Sequence, residues 1–274
     1  MRASRKRLAI IVLSLAAASS ASATPLLAGS SDIDRRMKAC LDDPANAATG
    51  DQSACIVSAT QAWDEQLNTS YRALQAGVPA ADMHALVSAQ RAWIASRDAD
   101  LKLVTNVYAT ARGTMYAPAN AYDVMLITKA RARTLTRFAS GASAYLVAAD
   151  IKRTDRGGPV PQRGMAYEKA HCGGLSETDA VGRCALKAAP LYRKDVEEMT
   201  RRIERRLPAA SRPAARDAGQ QWESFVAAQP GLVSAIHTKE TPDAVRAYTA
   251  IELRNETVAR LRRLVSLEGI IDAD

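Results

Sequence analysis

Apolar side chains recur along this chain at the spacing of an amphipathic helix. Two segments show the pattern most clearly, and each has one apolar face: Trp63, Leu67, Tyr71 and Leu74 in the first, and Tyr192, Val196, Met199 and Ile203 in the second. No stretch alternates apolar and polar residues for long enough to form a sheet. The pattern predicts an all-α protein.

The two segments belong to an internal repeat. Cys55 precedes Trp93 by 38 residues, and Cys184 precedes Trp222 by the same 38 residues. A stretch containing glutamine comes before each tryptophan, and each unit is too long for a solenoid repeat. The sequence therefore predicts two tandem three-helix modules.

In the first module we expect helices over about residues 51–75, 80–104 and 122–138. Gly77 and Pro79 end the first of these helices, and a loop over residues 105–120 separates the other two. The second module is expected to break at its prolines, which are Pro208, Pro213, Pro230 and Pro242.

The module boundaries follow from composition. A segment rich in glycine and proline over residues 150–166 is typical of a linker. The first module then occupies residues 24–149 and the second residues 167–274.

Residues 1–23 have the organisation of a secretory signal peptide. A basic start is followed by an apolar stretch of eleven residues, and Ala21-Ser22-Ala23 offers a cleavage site after Ala23. A stretch of eleven residues is too short to span a bilayer, and no later stretch approaches a transmembrane length. We expect a periplasmic or secreted protein with no membrane span in the mature chain.

The charge balance narrows the class of partner. The chain has 37 basic and 29 acidic side chains, a net charge of +8, and the first 23 residues hold four of the basic ones and none of the acidic ones. The mature chain would therefore have a net charge of +4. So small an excess on an exported protein argues against a nucleic acid partner.

Four cysteines, two in each module, are expected to form disulfides in an oxidising compartment. They are Cys40, Cys55, Cys172 and Cys184. Three pairings are open, and we favour Cys40–Cys55 and Cys172–Cys184 because each closes a short loop within one module. A metal site is not predicted, because His171 beside Cys172 lacks the paired-cysteine spacing of a zinc site.

Catalysis has little support in the sequence. The three histidines, His84, His171 and His237, lie far apart, and no nucleophile, metallopeptidase or phosphate-loop motif is present. Carboxylates such as Asp64 and Asp98 could form a pair for glycan cleavage, but acidic residues are common on helix surfaces. We expect a binding protein that is not an enzyme and has no cofactor.

Three motifs carry a family resemblance. They are Trp63-Asp64-x-x-Leu67-Asn68-x-x-Tyr71, Ala89-Gln90-Arg91-Ala92-Trp93-x-x-x-Arg97-Asp98-Ala99 and Ile127-Thr128-x-x-Arg131-x-x-x-Leu135. Over about residues 40–138 the chain resembles the LprI-type lysozyme-inhibitor domain family, a group of small exported helical modules in bacteria. The resemblance implies a helical fold and a lysozyme partner.

The chain departs from the family pattern at two positions. Where the family usually has a cysteine after the Arg-Asp-Ala stretch and another before the third-helix threonine, this chain has Asp100 and Asp123. The joint loss implies that those cysteines pair with each other, which supports Cys40–Cys55. The second module is a degenerate copy, because its apolar positions survive while the polar signature is lost.

The polar signature of the first module supplies the candidate partner-binding residues: Asp64, Asn68, Tyr71, Gln90, Arg91, Trp93, Arg97 and Asp98. One interpretation is a partly buried network in which Arg97 pairs with Asp64 and lies over Trp93. The other is a surface patch for a partner protein, since Trp, Tyr and Arg are favoured at interface hot spots. Solvent exposure of Trp93 and Arg97 would separate the two.

Two functions are open. In the first, which the resemblance implies, the chain inhibits a lysozyme. In the second, it is a non-catalytic adaptor or structural protein of the cell envelope. Animal-type lysozymes are basic, so a chain of charge +4 gains nothing from long-range attraction. A local acidic patch at Asp42, Asp43 and Asp51 could still attract a basic lysozyme. The loss of the polar signature from the second module slightly favours the adaptor role.

Overall fold

A computed structural model describes residues 24–142 and 160–271 of the chain. The predicted signal peptide and residues 143–159, which include much of the predicted linker, lie outside the described residues. The described residues form helices and contain no strand: α1 Thr24–Asp42, α2 Thr49–Gly77, α3 Met83–Tyr108, α4 Tyr116–Ala139, α5 Arg163–His171, α6 Thr178–Arg206, α7 Arg212–Ile236 and α8 Pro242–Ile271. The all-α prediction is confirmed.

Most helices match the sequence pattern, with α2, α3 and α4 in the first module and α6, α7 and α8 in the second. The chain breaks at Pro208, and Pro213 and Pro242 lie in the first turns of α7 and α8. The break predicted at Pro230 is wrong. This proline lies exposed inside α7, which continues past it although the proline has no N–H to donate to the helix. Helices α1 and α5 were not predicted, and α5 begins inside the expected linker.

The helices pack in pairs, and one of the pairs joins the two modules. Helix α2 lies along α4, α6 lies along α8, and α3 lies along α7. One continuous cluster of buried apolar side chains includes residues from both modules. Its largest fully buried members include Trp63, Trp222, Tyr192, Met125 and Leu86. The modules therefore share a single core.

Buried ion pairs cross the same boundary. Arg260 and Arg263 of α8 both bind the carboxylate of Asp100 on α3, and Arg263 does so at 3.1 Å. Arg137 of α4 donates two hydrogen bonds, of 2.5 and 2.6 Å, to the carboxylate of Glu252 on α8. Such pairs help to hold the modules together, because separating the partners would leave uncompensated charges in a buried site.

Asp123 is a second buried carboxylate that α8 reaches. It accepts hydrogen bonds from the Tyr108 hydroxyl at 2.8 Å and from the Ser266 hydroxyl at 3.2 Å. Asp100 and Asp123 are only 3% and 4% exposed. The two positions at which the family resemblance implies cysteines therefore hold carboxylates that contact the second module.

Both local disulfides are confirmed. Cys40–Cys55 joins the end of α1 to the start of α2, and Cys172–Cys184 joins the end of α5 to α6, with Cα atoms 5.8 and 5.9 Å apart. Each bridge holds a short connection against the following helix.

Candidate functional site

The predicted partner-binding residues lie on two helices that do not pack along each other. Asp64, Asn68 and Tyr71 are on α2, which lies along α4, whereas the remaining five are on α3, which lies along α7. The structure therefore does not bring the eight residues together into one patch.

The α3 group is centred on a buried contact between the modules. Trp93 is 6% exposed and Gln90 is 8% exposed. Arg131 of α4 donates hydrogen bonds from Nε and Nη2 to Oε1 of Gln90, at 3.1 and 3.0 Å. The Arg131 guanidinium lies 5.5 Å from the ring centre of Phe225 on α7 and 6.0 Å from that of Trp93. Gln90 and Trp93 thus help join α3 and α4 to α7.

Arg97 behaves partly as predicted. Its guanidinium lies 5.2 Å from the ring centre of Trp93, as expected. The predicted pairing with Asp64 is wrong, because Arg97 pairs with its neighbour Asp98 at 2.8 Å. Asp64 instead accepts a hydrogen bond from Asn68, one turn further along α2, at 3.0 Å. The reason is that α2 packs along α4 and not along α3.

Four of the eight residues are exposed to solvent: Asp64, Asn68, Arg91 and Asp98. Tyr71 is half-buried against the core. Arg97 is 32% exposed. Only the exposed members can meet a partner without rearrangement, and they divide between α2 and α3.

A small crevice lies where α3, α4, α7 and α8 meet. Its lining includes Trp93, Arg131, Phe225, Glu256 and Arg263. Burial lowers the pKa of Arg131 to about 10 and lowers that of Arg263, and burial raises the pKa of Glu256. The residues that line the crevice come from both modules, and they include no histidine or cysteine. The crevice is therefore part of the contact between the modules.

The solvent side of α2 holds a stripe of residues that motif reasoning missed. It comprises Gly50, Ala54, Val57, Gln61, Asp64 and Asn68, and we call it the α2 face. All six are exposed, and their spacing of four and three residues places them on one side of the helix. Val57, the largest apolar member of the stripe, is 49% exposed. The helical period alone could have placed this stripe on the side of α2 away from Trp63 and Leu67.

Within residues 24–142 and 160–271, no group of three or more His, Cys, Asp or Glu side chains is arranged to hold a metal ion. None of the helices in these ranges has the length and apolar character needed to cross a membrane.

Comparison with known proteins supports the helical fold and gives a family match for one segment of the chain. A crystal structure of an uncharacterized protein from Burkholderia thailandensis has a TM-score of 0.54, with 23% sequence identity over 85% of this chain and 95% of that chain. At this level of identity the likeness shows the fold alone. No curated protein matches the chain. Residues 40–135 match the family model described as lysozyme inhibitor LprI, so the predicted resemblance is confirmed for the segment from Cys40 through most of α4.

Proposed function

We propose that this chain is an exported, non-catalytic protein that binds a peptidoglycan-cleaving lysozyme and inhibits it. The observation that carries the proposal is the match of residues 40–135 to the lysozyme inhibitor LprI family. Two signature residues within that segment, Asp64 and Asn68, are exposed on α2 and available to a partner. Inhibition then requires only that the bound chain cover the lysozyme cleft.

Export is proposed on two grounds. Residues 1–23 have the pattern of a cleavable signal peptide. All four cysteines are paired in disulfides, which persist in the periplasm and outside the cell and are rare in the cytosol. The mature protein would then meet lysozyme in the compartment where lysozyme attacks the cell wall.

A second candidate function is that of a cell-envelope adaptor or structural protein. It is favoured by the second module, which keeps the packing positions of the repeat and completes the shared core without the polar signature. An adaptor would use the fused modules as a rigid spacer and would leave lysozyme activity unchanged.

A turbidity assay tests the proposal. Residues 24–274 would be mixed with an animal c-type or a g-type lysozyme, and the lysis of a cell-wall suspension would be followed against the concentration of the chain. Saturable inhibition of at least one enzyme is expected. Full lysis at a large molar excess of the chain over both enzymes would contradict the proposal and leave the adaptor as the function to pursue. The whole mature chain should be used, because the modules share one core.

A further inference from the structure

One stretch of this basic chain is purely acidic. From Cys40 to Tyr71 the sequence contains no Lys, Arg or His and five acidic residues, which are Asp42, Asp43, Asp51, Asp64 and Glu65. All five are exposed. The equivalent stretch of the second module, residues 169–200, contains five acidic and five Lys or Arg residues. The acidic character therefore belongs to the first module alone.

The acidic side chains flank an apolar centre. Val57 lies in the middle of the α2 face, with Gly50 and Ala54 on the same side of the helix and Asp64 beyond it. No other helix packs over this stripe in the described parts of the chain, because all six of its members are exposed. An apolar centre with a polar rim is the usual anatomy of a protein interface.

The α2 face is also held rigidly. The Cys40–Cys55 disulfide fixes the connection before α2, where Asp43 accepts a hydrogen bond from the backbone N–H of Ala45 at 2.9 Å. In the same connection, the side chain of Asn46 donates a hydrogen bond to the carbonyl of Cys40 at 2.9 Å. A surface that is already ordered loses little conformational entropy when it binds.

The cations on α1 and α2 leave most of this charge unpaired. Arg72, one turn beyond Asn68 on α2, donates a hydrogen bond to the Thr69 hydroxyl at 3.3 Å. Lys38 of α1 pairs with Asp42 at 2.5 Å. Arg35 and Arg36, which are also exposed on α1, both pair with Asp32 on their own helix. No ion pair within the described residues involves Asp43, Asp51, Asp64 or Glu65.

We propose that the α2 face, with its flanking carboxylates, is the surface that docks onto a basic lysozyme of the animal type. The inference rests on the proposed function and specifies which side of the first module makes the contact. On a chain of net positive charge, a local acidic surface attracts a cationic protein, and the attraction weakens as salt screens it. The more evenly charged second module offers no equivalent surface.

Binding of the full mature chain to an animal c-type lysozyme, measured by calorimetry at low and at physiological ionic strength, tests this docking surface. The triple variant Asp51→Lys/Asp64→Lys/Glu65→Lys should weaken binding by about tenfold or more, because it reverses charges opposite a cationic partner. Val57→Arg should also weaken binding at both ionic strengths. The matched control is Leu186→Arg, at the equivalent position of the second module, where Leu186 is 65% exposed. It should change affinity by less than about twofold, as expected for a surface site outside the interface.

The outcomes separate the docking surface from the function. Lysozyme binding that survives every α2 variant would overturn the docking surface while leaving the function intact, and loss of binding in Arg91→Glu would move the contact to α3. A wild-type chain that binds no lysozyme would overturn the function and the docking surface together. Equal affinity for cytochrome c, a basic protein of unrelated shape, would show a general attraction for cations and would overturn specific docking. Unchanged melting temperatures would establish that the variants are folded.

Discussion

The two modules each contain a shorter first helix, three longer helices and one local disulfide, yet they differ in what they present to solvent. On α2 the first module exposes Asp51, Asp64 and Glu65, with no Lys or Arg before Arg72, whereas the corresponding helix of the second, α6, carries charges of both signs along its length. Their buried sides meet, because α3 and α7 pack on each other within one core. The two modules are therefore joined through their buried sides, while their solvent-facing sides differ in charge.

The largest expected effect comes from breaking the ionic contact between the modules. Asp100→Ala would leave Arg260 and Arg263 without their shared carboxylate in a buried site, and we expect a loss of about 3–5 kcal/mol in the free energy of unfolding. Urea denaturation measures it. The matched change at the exposed Asp98, Asp98→Ala, should cost less than about 0.5 kcal/mol. Equal costs for the two variants would show that the modules are not held together through Asp100.

The disulfides provide the next contrast. Cys40→Ser/Cys55→Ser and Cys172→Ser/Cys184→Ser open loops of similar length, with sequence separations of 15 and 12, so each should cost about 3 kcal/mol of stability. Only the first pair borders the α2 face. We therefore expect lysozyme affinity to fall in the first double variant and to stay near wild type in the second, measured by calorimetry below the melting temperature of both. A reversed order of affinities would assign lysozyme binding to the second module.

The third effect depends on pH. Burial raises the pKa of Asp123, although the Tyr108 and Ser266 hydrogen bonds and the charge of Arg263 act against it. The folded protein then holds this proton more tightly than the unfolded chain does. The contribution of Asp123 to the free energy of unfolding therefore falls as pH rises from the unfolded pKa, about 3.9, through the raised folded value.

Asp123→Asn should remove this decline while keeping a hydrogen-bond acceptor for Tyr108. Urea unfolding at a series of pH values gives the free energy of unfolding against pH for the wild type and for Asp123→Asn. The variant Asp98→Asn, at an exposed position, is the control and should follow the wild-type curve. Parallel curves for wild type and Asp123→Asn would contradict the raised pKa.

The smallest effect is expected at Arg97. Its side chain is partly exposed, and the residues of its ion pair and its ring contact, Asp98 and Trp93, both lie on its own helix. Arg97→Gln should therefore lower stability by only about 0.5 kcal/mol, which thermal unfolding can detect. A loss of several kcal/mol would instead place Arg97 in a network that supports the contact between α3 and α7.

Sequence reasoning located the helices better than it located their partners. The period of Trp63, Leu67 and Leu74 defines the buried side of α2, because apolar spacing reports which face leaves water. That spacing does not say which helix covers the face, so the pairing of α3 with α7 could not be predicted. The proposed Arg97–Asp64 pair failed for the same reason, since it assumed that consecutive helices pack along each other.

The polar contacts were equally hard to foresee. The family resemblance marked Asp100 and Asp123 only as positions that usually hold cysteines. Nothing near them in the sequence indicates that each also has a partner on α8, more than 140 residues away. Buried charged residues are rare, so an acidic residue on a predicted helix is first expected at the surface. The pairing of the four cysteines was predictable because short loops favour local bridges.

The packing of α3 on α7 makes this chain the covalent counterpart of a dimer. The first module alone would leave the side of α3 that packs on α7 facing water until it met a partner surface. Tethering the two modules replaces that bimolecular encounter with an intramolecular one, in which the partner is present at a high effective concentration whatever the abundance of the protein. The contact between α3 and α7 therefore does not weaken when the protein is diluted.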